Sequence, residues 1–517
     1  MRNKGTGSWI HRRRVKSAGA PALTVGEKAI TYDALAERID RLADALAAGG
    51  VGHGDRVAYL GENHPSFLES FFAAGTLGAI FVPLNTRLAP PEVAFALCDS
   101  GATVLIHSAE LTDLATIGSD GTGVRRRIVA DGPVVAGGPA EHLEVIIAAA
   151  APQHRDVDVD LADPAMIQYT SGTTGHPKGA VISHQNIAWN SYNVLVDYEL
   201  SATSVSLMIS PMFHAAALGM GVLPMLLKGA NVVLEAHFDA GRVLELIPRH
   251  RVTALSGVPT TFQLICEHPA FPTTDLSSVR MLTCGGSAVP TRVLDAYEQR
   301  GLSFTGGYGM TETSPGVTSL QPRFSRLKAG SAGLTHFFTD VRVADDAGRD
   351  LPAGQTGEIQ IQGPNVIAGY WQRPDATAES FTADGWFRSG DIGYRDESGF
   401  LFIADRLKDM IISGGENIYP AEIEQIILEL EAVGSVAVVG VPNDQWGEVP
   451  RAYVQLRPGY SLSTDEVTAH LSGRLARYKI PKSVVTVEEM PRTSSGKIRK
   501  RDLRTLAGAP TQRVGSS

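Results

Sequence analysis

Residues 170–179 read Thr-Ser-Gly-Thr-Thr-Gly-His-Pro-Lys-Gly and directly follow the apolar run Ala165-Met166-Ile167-Gln168-Tyr169. Hydroxyls, glycines and one lysine packed this closely are suited to wrapping a polyphosphate. The glycines Gly172 and Gly175 let backbone amides approach phosphate oxygens with no Cβ in the way. The hydroxyls of Thr170, Ser171, Thr173 and Thr174 add donors, and Lys178 brings a mobile positive charge. The spacing is not that of the Walker A loop, which needs Gly-x-x-x-x-Gly-Lys-Ser/Thr. A flexible Gly/Thr turn would account for the glycines but would leave the hydroxyl density and the lysine without a purpose.

The stretch from Tyr169 to Gly179 resembles the signature loop of the adenylate-forming superfamily, which includes acyl-CoA synthetases, aryl-CoA ligases, luciferases and peptide-synthetase adenylation domains. The superfamily's other motifs follow in order, and the resemblance covers residues 20 to 506, with the closest likeness to bacterial fatty-acyl-CoA synthetases. Gly307-Tyr308-Gly309-Met310-Thr311-Glu312-Thr313 resembles the second nucleotide motif. The resemblance implies that Tyr308 stacks on adenine, Thr311 meets the α-phosphate and Glu312 holds Mg²⁺ together with Thr170. An anionic oxygen is what a hard cation bridging phosphates requires. Gly285, Gly286 and Ser287 join the implied ATP/AMP-binding set.

Gly385-Trp386-Phe387-Arg388-Ser389-Gly390-Asp391 resembles the motif whose aspartate, here Asp391, accepts from the ribose hydroxyls. Asp405-Arg406-Leu407-Lys408-Asp409 resembles the hinge, with Arg406 near ribose and phosphate and Lys408 at the pivot. Gly414 and Gly415 fall in the loop that lines the coenzyme A tunnel, where a glycine suits a narrow passage. Lys497, in Pro491-Arg492-Thr493-Ser494-Ser495-Gly496-Lys497-Ile498, takes the place of the lysine that bridges the acid's carboxylate and the α-phosphate.

These correspondences imply a ligase that uses ATP, Mg²⁺ and coenzyme A: an acid is joined to AMP with release of pyrophosphate, and the acyl group then passes to the CoA thiol. Pro211-Met212-Phe213-His214 resembles the element at the acyl pocket, followed by Ala215, Ala216 and Gly219, which are small and leave room. An amino-acid-activating relative would place an aspartate here, and a dicarboxylate-activating one would need a cation. The expected substrate is an apolar monocarboxylic acid, either fatty, alicyclic or aromatic. One departure from the pattern is Gly306, where relatives often carry Gln or Asn. Competing readings are an acyl-AMP ligase that loads a carrier protein, a family member that runs one half-reaction, a luciferase-like oxygenase, and a nucleotide-binding regulator. The joint presence of Lys178, Glu312 and Lys497 argues against the last.

The elements that must position these residues read as α/β. The chain has 517 residues, 43% hydrophobic and 20% charged, which is too long for one compact core. Helical spacing at 33–48, a strand at 56–60, a helix near 66–77 and strands at 79–83 and 104–106 form alternating units that imply helix-covered, mostly parallel sheets. A polar, acidic linker at 152–164 separates this first lobe from a second that begins with the strand 165–169 and contains strands at 205–209, 231–234 and 278–282. Beyond 339, short alternating strands predict a small antiparallel barrel or sheet. The expected division is a large N-terminal domain, 1–407, built of two such sheets plus a small β-barrel, and a small mobile C-terminal α/β domain, 408–517, with a helix at 420–430 and a strand at 435–441.

The net charge of −9 lacks the positive field that a nucleic acid partner needs. Cys98, Cys266 and Cys284 read as buried, reduced thiols. No apolar run approaches the roughly 20 residues of a membrane span, and a soluble, cytoplasmic protein is expected. The basic run 11–16 reads as a solvated helix face, with peripheral membrane contact left open, as is a homodimer. Glu422, Glu424, Lys500 and Arg501 read as solvated charges.

Overall fold

Thr31 begins the helix Tyr32–Ala48 by accepting a hydrogen bond from the Ala34 amide at 3.3 Å. Leu35, Ile39, Leu42 and Leu46 recur along it at three- and four-residue steps, and all four are fully buried, so one face of the helix enters the core. The structure is a computed structural model and describes residues 2–133, 140–170, 177–286, 289–406, 409–413, 416–443, 446–472, 474–493 and 497–507.

Two large sheets carry the N-terminal part. The seven-stranded sheet runs, in spatial order, Glu141–His142, Arg126–Val129, Val104–His107, Arg56–Leu60, Ile80–Leu84, Pro164–Thr170 and Lys178–Ser183. Its first six strands are parallel and the last is antiparallel to its neighbour. The nine-stranded sheet runs Leu334–Thr335, Gly316–Leu320, Phe304–Gly309, Met281–Gly285, Ala254–Gly257, Val205–Met208, Asn231–Leu234, Pro21–Val25 and Lys28–Thr31.

The two lobes therefore exchange strands, which sequence order conceals. The strand expected to open the second lobe pairs instead with the first sheet, Met166 facing Phe81, while Pro21–Val25 pairs with Asn231–Leu234 of the second. An apolar run buried on both faces must lie inside a sheet, but its composition does not say which one. The strand expected at 278–282 begins later, at Met281. The amides of Arg280 and Met281 both donate to the Thr253 carbonyl, so the chain is still turning there, and the ladder then continues to Gly285.

The segment beyond 339 forms a four-stranded antiparallel sheet, Asp340–Ala344, Gly357–Gln362, Phe387–Arg395 and Leu401–Arg406. Val341, Val343, Ile359, Ile361 and Leu401 form a buried cluster with Val317 of the nine-stranded sheet. This packing brings the strand holding Asp391 up to the strand holding Tyr308.

The C-terminal part has its own sheet, ordered Glu416–Ile418, Ile411–Ser413, Gly447–Leu456 and Val433–Asn443, with Ser483–Thr486 parallel to Gly447–Leu456. Its helix Pro420–Ile427 ends before the expected residue 430. Glu424 and Lys500 are not solvated charges: they pair with each other at 2.8 Å, and Glu424 accepts from the Val438 amide, while the partly exposed Glu422 lies 2.7 Å from Lys479. Arg457 pairs with Glu267 at 3.0 Å and Arg292 donates to the Val433 carbonyl, so this unit rests against the N-terminal part.

Two smaller expectations change in part. The basic run lies in the helix Trp9–Lys16, whose Trp9, Ile10 and His11 are buried and whose Arg13 donates to the Leu227 carbonyl at 2.6 Å, which pins the helix down. Cys98 is exposed and Cys266 half-buried, burial pushing the latter up to about 11, and only Cys284 is fully inside. Among the described residues no helix is long and apolar enough to cross a membrane.

His184 fastens the N-terminal segment beside the phosphate hairpin. Its Nδ1 accepts from the Thr6 amide at 3.1 Å, which requires a lone pair and so a neutral ring. Burial, the largest cause, pushes its pKa down to about 4, whereas an unfolded chain's imidazole titrates near 6.5. Between those values the unfolded chain takes up a proton that the folded one refuses. The contribution is therefore whole above about pH 6.5 and is lost as pH falls toward 4, by about 1.4 kcal/mol per pH unit at most. Melting temperature measured from pH 7 to 4.5 should fall, and His184→Gln should flatten that dependence.

Candidate active site

Thr170 and Lys178 face each other as register partners at the mouth of the hairpin that closes the seven-stranded sheet. Thr170 Oγ1 lies 3.4 Å from Glu312 Oε1, although Glu312 comes from the short helix Thr311–Thr313 after a strand of the other large sheet. The hydroxyl of Tyr370 donates to the same Glu312 oxygen at 3.0 Å, and Lys178 Nζ stands 5.3 Å over the Tyr370 ring. Burial, and then the Glu312 charge, push the Tyr370 phenol upward, so it stays a donor. The Glu312 carbonyl accepts from the Ile367 amide at 2.9 Å, which fixes the backbone as well.

Behind this group, Asp99 gathers the supporting strand and the aromatic segment. Its carboxylate accepts from the Tyr169 hydroxyl at 2.9 Å and from Arg373, and its carbonyl accepts from the Trp371 indole at 3.1 Å.

The Tyr308 hydroxyl donates to Asp391 Oδ2 at 2.6 Å, and Asp391 is 5% exposed. A hydrogen bond to an ionised acceptor is short and strong, and this one fixes the Tyr308 ring against the small sheet. Asp391 is also the register partner of Arg406. Glycine is required between Tyr308 and Met310: a Cβ on Gly309 would stand 1.8 Å from the Pro315 carbonyl oxygen, to which Met310 donates. At Gly307 a Cβ would lie 3.0 Å from the Thr318 carbonyl. Met310 and Thr311 are half-buried at the same edge.

Lys497 reaches this edge from the C-terminal part. Its Cε lies 3.4 Å from where a Cβ on Gly286 would stand, with Val258 Cγ1 at 3.8 Å from the same point. The lysine charge extends to His214: burial first, then Lys497 and Arg87, push that imidazole down to about 4, leaving it neutral near pH 7. Lys497 thus meets the C-terminal ends of the parallel strands Ala254–Gly257 and Met281–Gly285, the edge where open α/β sheets bind ligands.

Of the residues expected around the acid, His214 is half-buried, Ala215 buried and Ala216 exposed. Gly219 is enclosed; a Cβ there would come within 2.6 Å of Pro315 Cδ. The six-residue π-helical stretch Ala217–Val222 packs on the inner face of the nine-stranded sheet, with Gly221 against Met208 and Ser256. On that face Ser256, Thr283 and Thr305 form a cross-strand row, and Gly285 and Gly307 pair one step beyond it. Thr283 Oγ1 is buried with no hydrogen-bond partner among the described residues.

The structure thus brings together Thr170, Lys178, Gly285, Gly286, Gly307, Tyr308, Gly309, Met310, Thr311, Glu312, Asp391, His214 and Lys497. Ser171, Gly172, Thr173, Thr174, Gly175, Ser287, Lys408, Gly414 and Gly415 lie outside the described residues, and Arg406 is described by its backbone pairing alone. Sequence reasoning missed Tyr370, Asp99 and Thr283. The aromatic pair Tyr370-Trp371 after Gly369 was a signal available for the first; nothing local marked the other two.

The AMP-binding enzyme family matches residues 10–371, and its C-terminal domain matches 422–497. This chain belongs to the AMP-binding enzyme family. Feruloyl-CoA synthase of an Amycolatopsis species is 49% identical over 508 residues, covering 98% of this chain and all of that one. Indoleacetate–CoA ligase of Aromatoleum aromaticum is 41% identical over 97% of this chain and 98% of its own, and long-chain-fatty-acid–CoA ligase of Mycobacterium tuberculosis is 38% identical over 92% of each. The ATP-bound crystal structure of MatB from Rhodopseudomonas palustris superposes with a TM-score of 0.89 at 31% identity, over 97% of this chain and 98% of that one. The apo form of the same protein, at the same identity and coverage, gives 0.79. Sequence being equal, the difference lies in arrangement, and the present arrangement is nearer the ATP-bound one. The chain is an AMP-forming acid–CoA ligase that uses ATP.

Tyr370→Phe removes one donor from Glu312 while keeping the ring under Lys178. A hydrogen bond to a charged group is worth about 1.5–3 kcal/mol. Acid-dependent ATP–pyrophosphate exchange should therefore slow about tenfold or more; an unchanged rate would remove Tyr370 from the account.

Proposed function

We propose that the acid is an aryl carboxylic acid carrying a polar ring substituent, that Lys497 acts in its adenylation, and that the domain 408–517 turns about Lys408 before the thioester forms. The observation that carries the first part is Thr283 Oγ1, a buried hydroxyl without a partner in a row with Ser256 and Thr305. A plain alkyl chain would leave that hydroxyl unsatisfied, whereas a phenol or methoxy oxygen would pair with it. The feruloyl- and indoleacetate-activating relatives, both acting on aryl acids, support the same class.

In the first half-reaction a carboxylate oxygen attacks the α-phosphorus of ATP, the bond to the bridging oxygen breaks, and pyrophosphate leaves. Lys178 and the hydroxyls of residues 170–174 take the β- and γ-phosphates; Tyr308 lies along the adenine and Asp391 accepts from the ribose hydroxyls, with Arg406 beside ribose and phosphate. Thr311 and Lys497 lie at the α-phosphate, where Lys497 also meets the carboxylate. Charge accumulates on the phosphoryl oxygens, and a fixed ammonium there lowers the barrier without any covalent intermediate on the protein. Neutral His214 borders the acid without adding a second charge. Thr170 and Glu312, whose oxygens already stand 3.4 Å apart, suit a magnesium ion, which would neutralise the departing pyrophosphate.

In the second half-reaction the CoA thiol attacks the acyl carbonyl, loses its proton and releases AMP. With Lys497 beside Gly286 in the present arrangement, this reading requires a second orientation to bring Gly414 and Gly415 to the acyl group as the lining of the CoA passage. We place the reaction in the cytoplasm, which suits three cysteines of which none is bridged.

Lys497→Ala should lower ATP–pyrophosphate exchange by two orders of magnitude or more, while thioester formation from a supplied acyl adenylate persists. Equal loss of both would refute the assignment. Thr283→Val should reduce kcat/KM for a hydroxylated aryl acid about tenfold and leave its deoxy counterpart unchanged. Preference for a straight-chain fatty acid or a dicarboxylate in the same panel would overturn the aryl-acid reading.

A further inference from the structure

His11, Asp40 and His154 meet away from the nucleotide site. They come from three separate pieces of chain: the helix Trp9–Lys16, the helix Tyr32–Ala48 and the irregular segment that precedes the strand Pro164–Thr170. Asp40 Oδ1 lies 3.1 Å from His154 Nδ1 and 3.5 Å from His11 Nε2, and all three atoms are within 4.8 Å of one another. Donors on a tetrahedral zinc ion with bonds of about 2.0–2.1 Å stand about 3.3–3.4 Å apart, so two of the three spacings already fit.

Asp40 is 1% exposed and His11 is 7% exposed, yet His11 Nε2 has no hydrogen-bond partner among the described residues. A buried imidazole nitrogen left unpaired is unfavourable, and each such group calls for an explanation. The His154–Asp40 hydrogen bond satisfies only its own two members. A ligand that takes a lone pair from both rings and from Oδ1 satisfies all three. Arg14 does not compete for that oxygen: its Nη1 stands 3.6 Å from Oδ2, the other one, where it holds the carboxylate in orientation as an outer partner does.

We propose that His11 Nε2, His154 Nδ1 and Asp40 Oδ1 bind a divalent transition metal, zinc by preference, with a fourth position open to water on the half-exposed His154 side. Two imidazoles and one carboxylate suit zinc over magnesium or calcium, which take oxygen ligands. The ion would clamp the N-terminal helix and the 151–158 segment onto the helix Tyr32–Ala48, beside the Arg155–Asp44 pair at 2.6 Å. Its role is structural.

The test titrates chelator-treated, nucleotide-free full-length protein with Co²⁺, followed by Zn²⁺. The expected result is one equivalent of Co²⁺ with the visible bands of a four-coordinate ion, displaced by Zn²⁺, and a raised melting temperature with either metal. His154→Gln, at a half-exposed position that folding tolerates, should weaken binding by about a hundredfold or more and abolish the bands, as should Asp40→Asn. Glu312→Gln, which alters the nucleotide site, should leave the signal intact. Absence of a four-coordinate spectrum, survival of binding in His154→Gln, or a signal that follows Glu312 would each overturn the proposal.

Discussion

Glu312 is the point on which the arrangement of the sheets depends. Its carboxylate belongs to the nine-stranded sheet's edge, accepts from Tyr370, and stands next to Thr170 of the seven-stranded sheet. A carboxylate half-hidden between two lobes is expensive unless donors surround it. The donors come from segments far apart in sequence, so satisfying this one charge holds the two lobes in register. Three residues before Glu312, Gly309 forces a close turn, and one residue earlier Tyr308 binds Asp391 of the small sheet. The third sheet is thereby tied to the same few residues.

The fourth sheet approaches this group by lighter contacts. Among the described residues, Arg457 with Glu267 and Arg292 with the Val433 carbonyl are polar contacts between the two parts. Partly exposed ion pairs of this kind contribute little individually. What is specific to the present orientation is Lys497 beside Gly286, where any side chain larger than hydrogen would approach the lysine.

Much of the site was legible because its residues are required in contiguous runs. A loop of hydroxyls and glycines, or a Gly-Tyr-Gly turn before an acid, announces itself locally. Sheet membership was not legible: the strand Pro164–Thr170 looks the same whichever sheet buries it, and Pro21–Val25 is separated from its partner Asn231–Leu234 by most of a domain. Tyr370 and Asp99 act through contacts with residues far away in sequence, so no window of sequence contains their reason. Lys479 and Lys500 went unremarked or read as solvated for the same cause, since the glutamates they meet lie on the helix Pro420–Ile427, far away in sequence.

The central claim is that groups from four sheets converge on one adenylate, with Lys497 supplied by the C-terminal unit. A crystal structure with a non-hydrolysable sulfamoyl analogue of the acyl adenylate tests it most directly. The account predicts the adenine along Tyr308, the ribose on Asp391, and Lys497 Nζ within hydrogen-bonding reach of the oxygens that join acyl group and phosphate. An analogue bound elsewhere, or bound there with the neighbouring Lys497 contact to Gly286 kept but no approach to those oxygens, would contradict it.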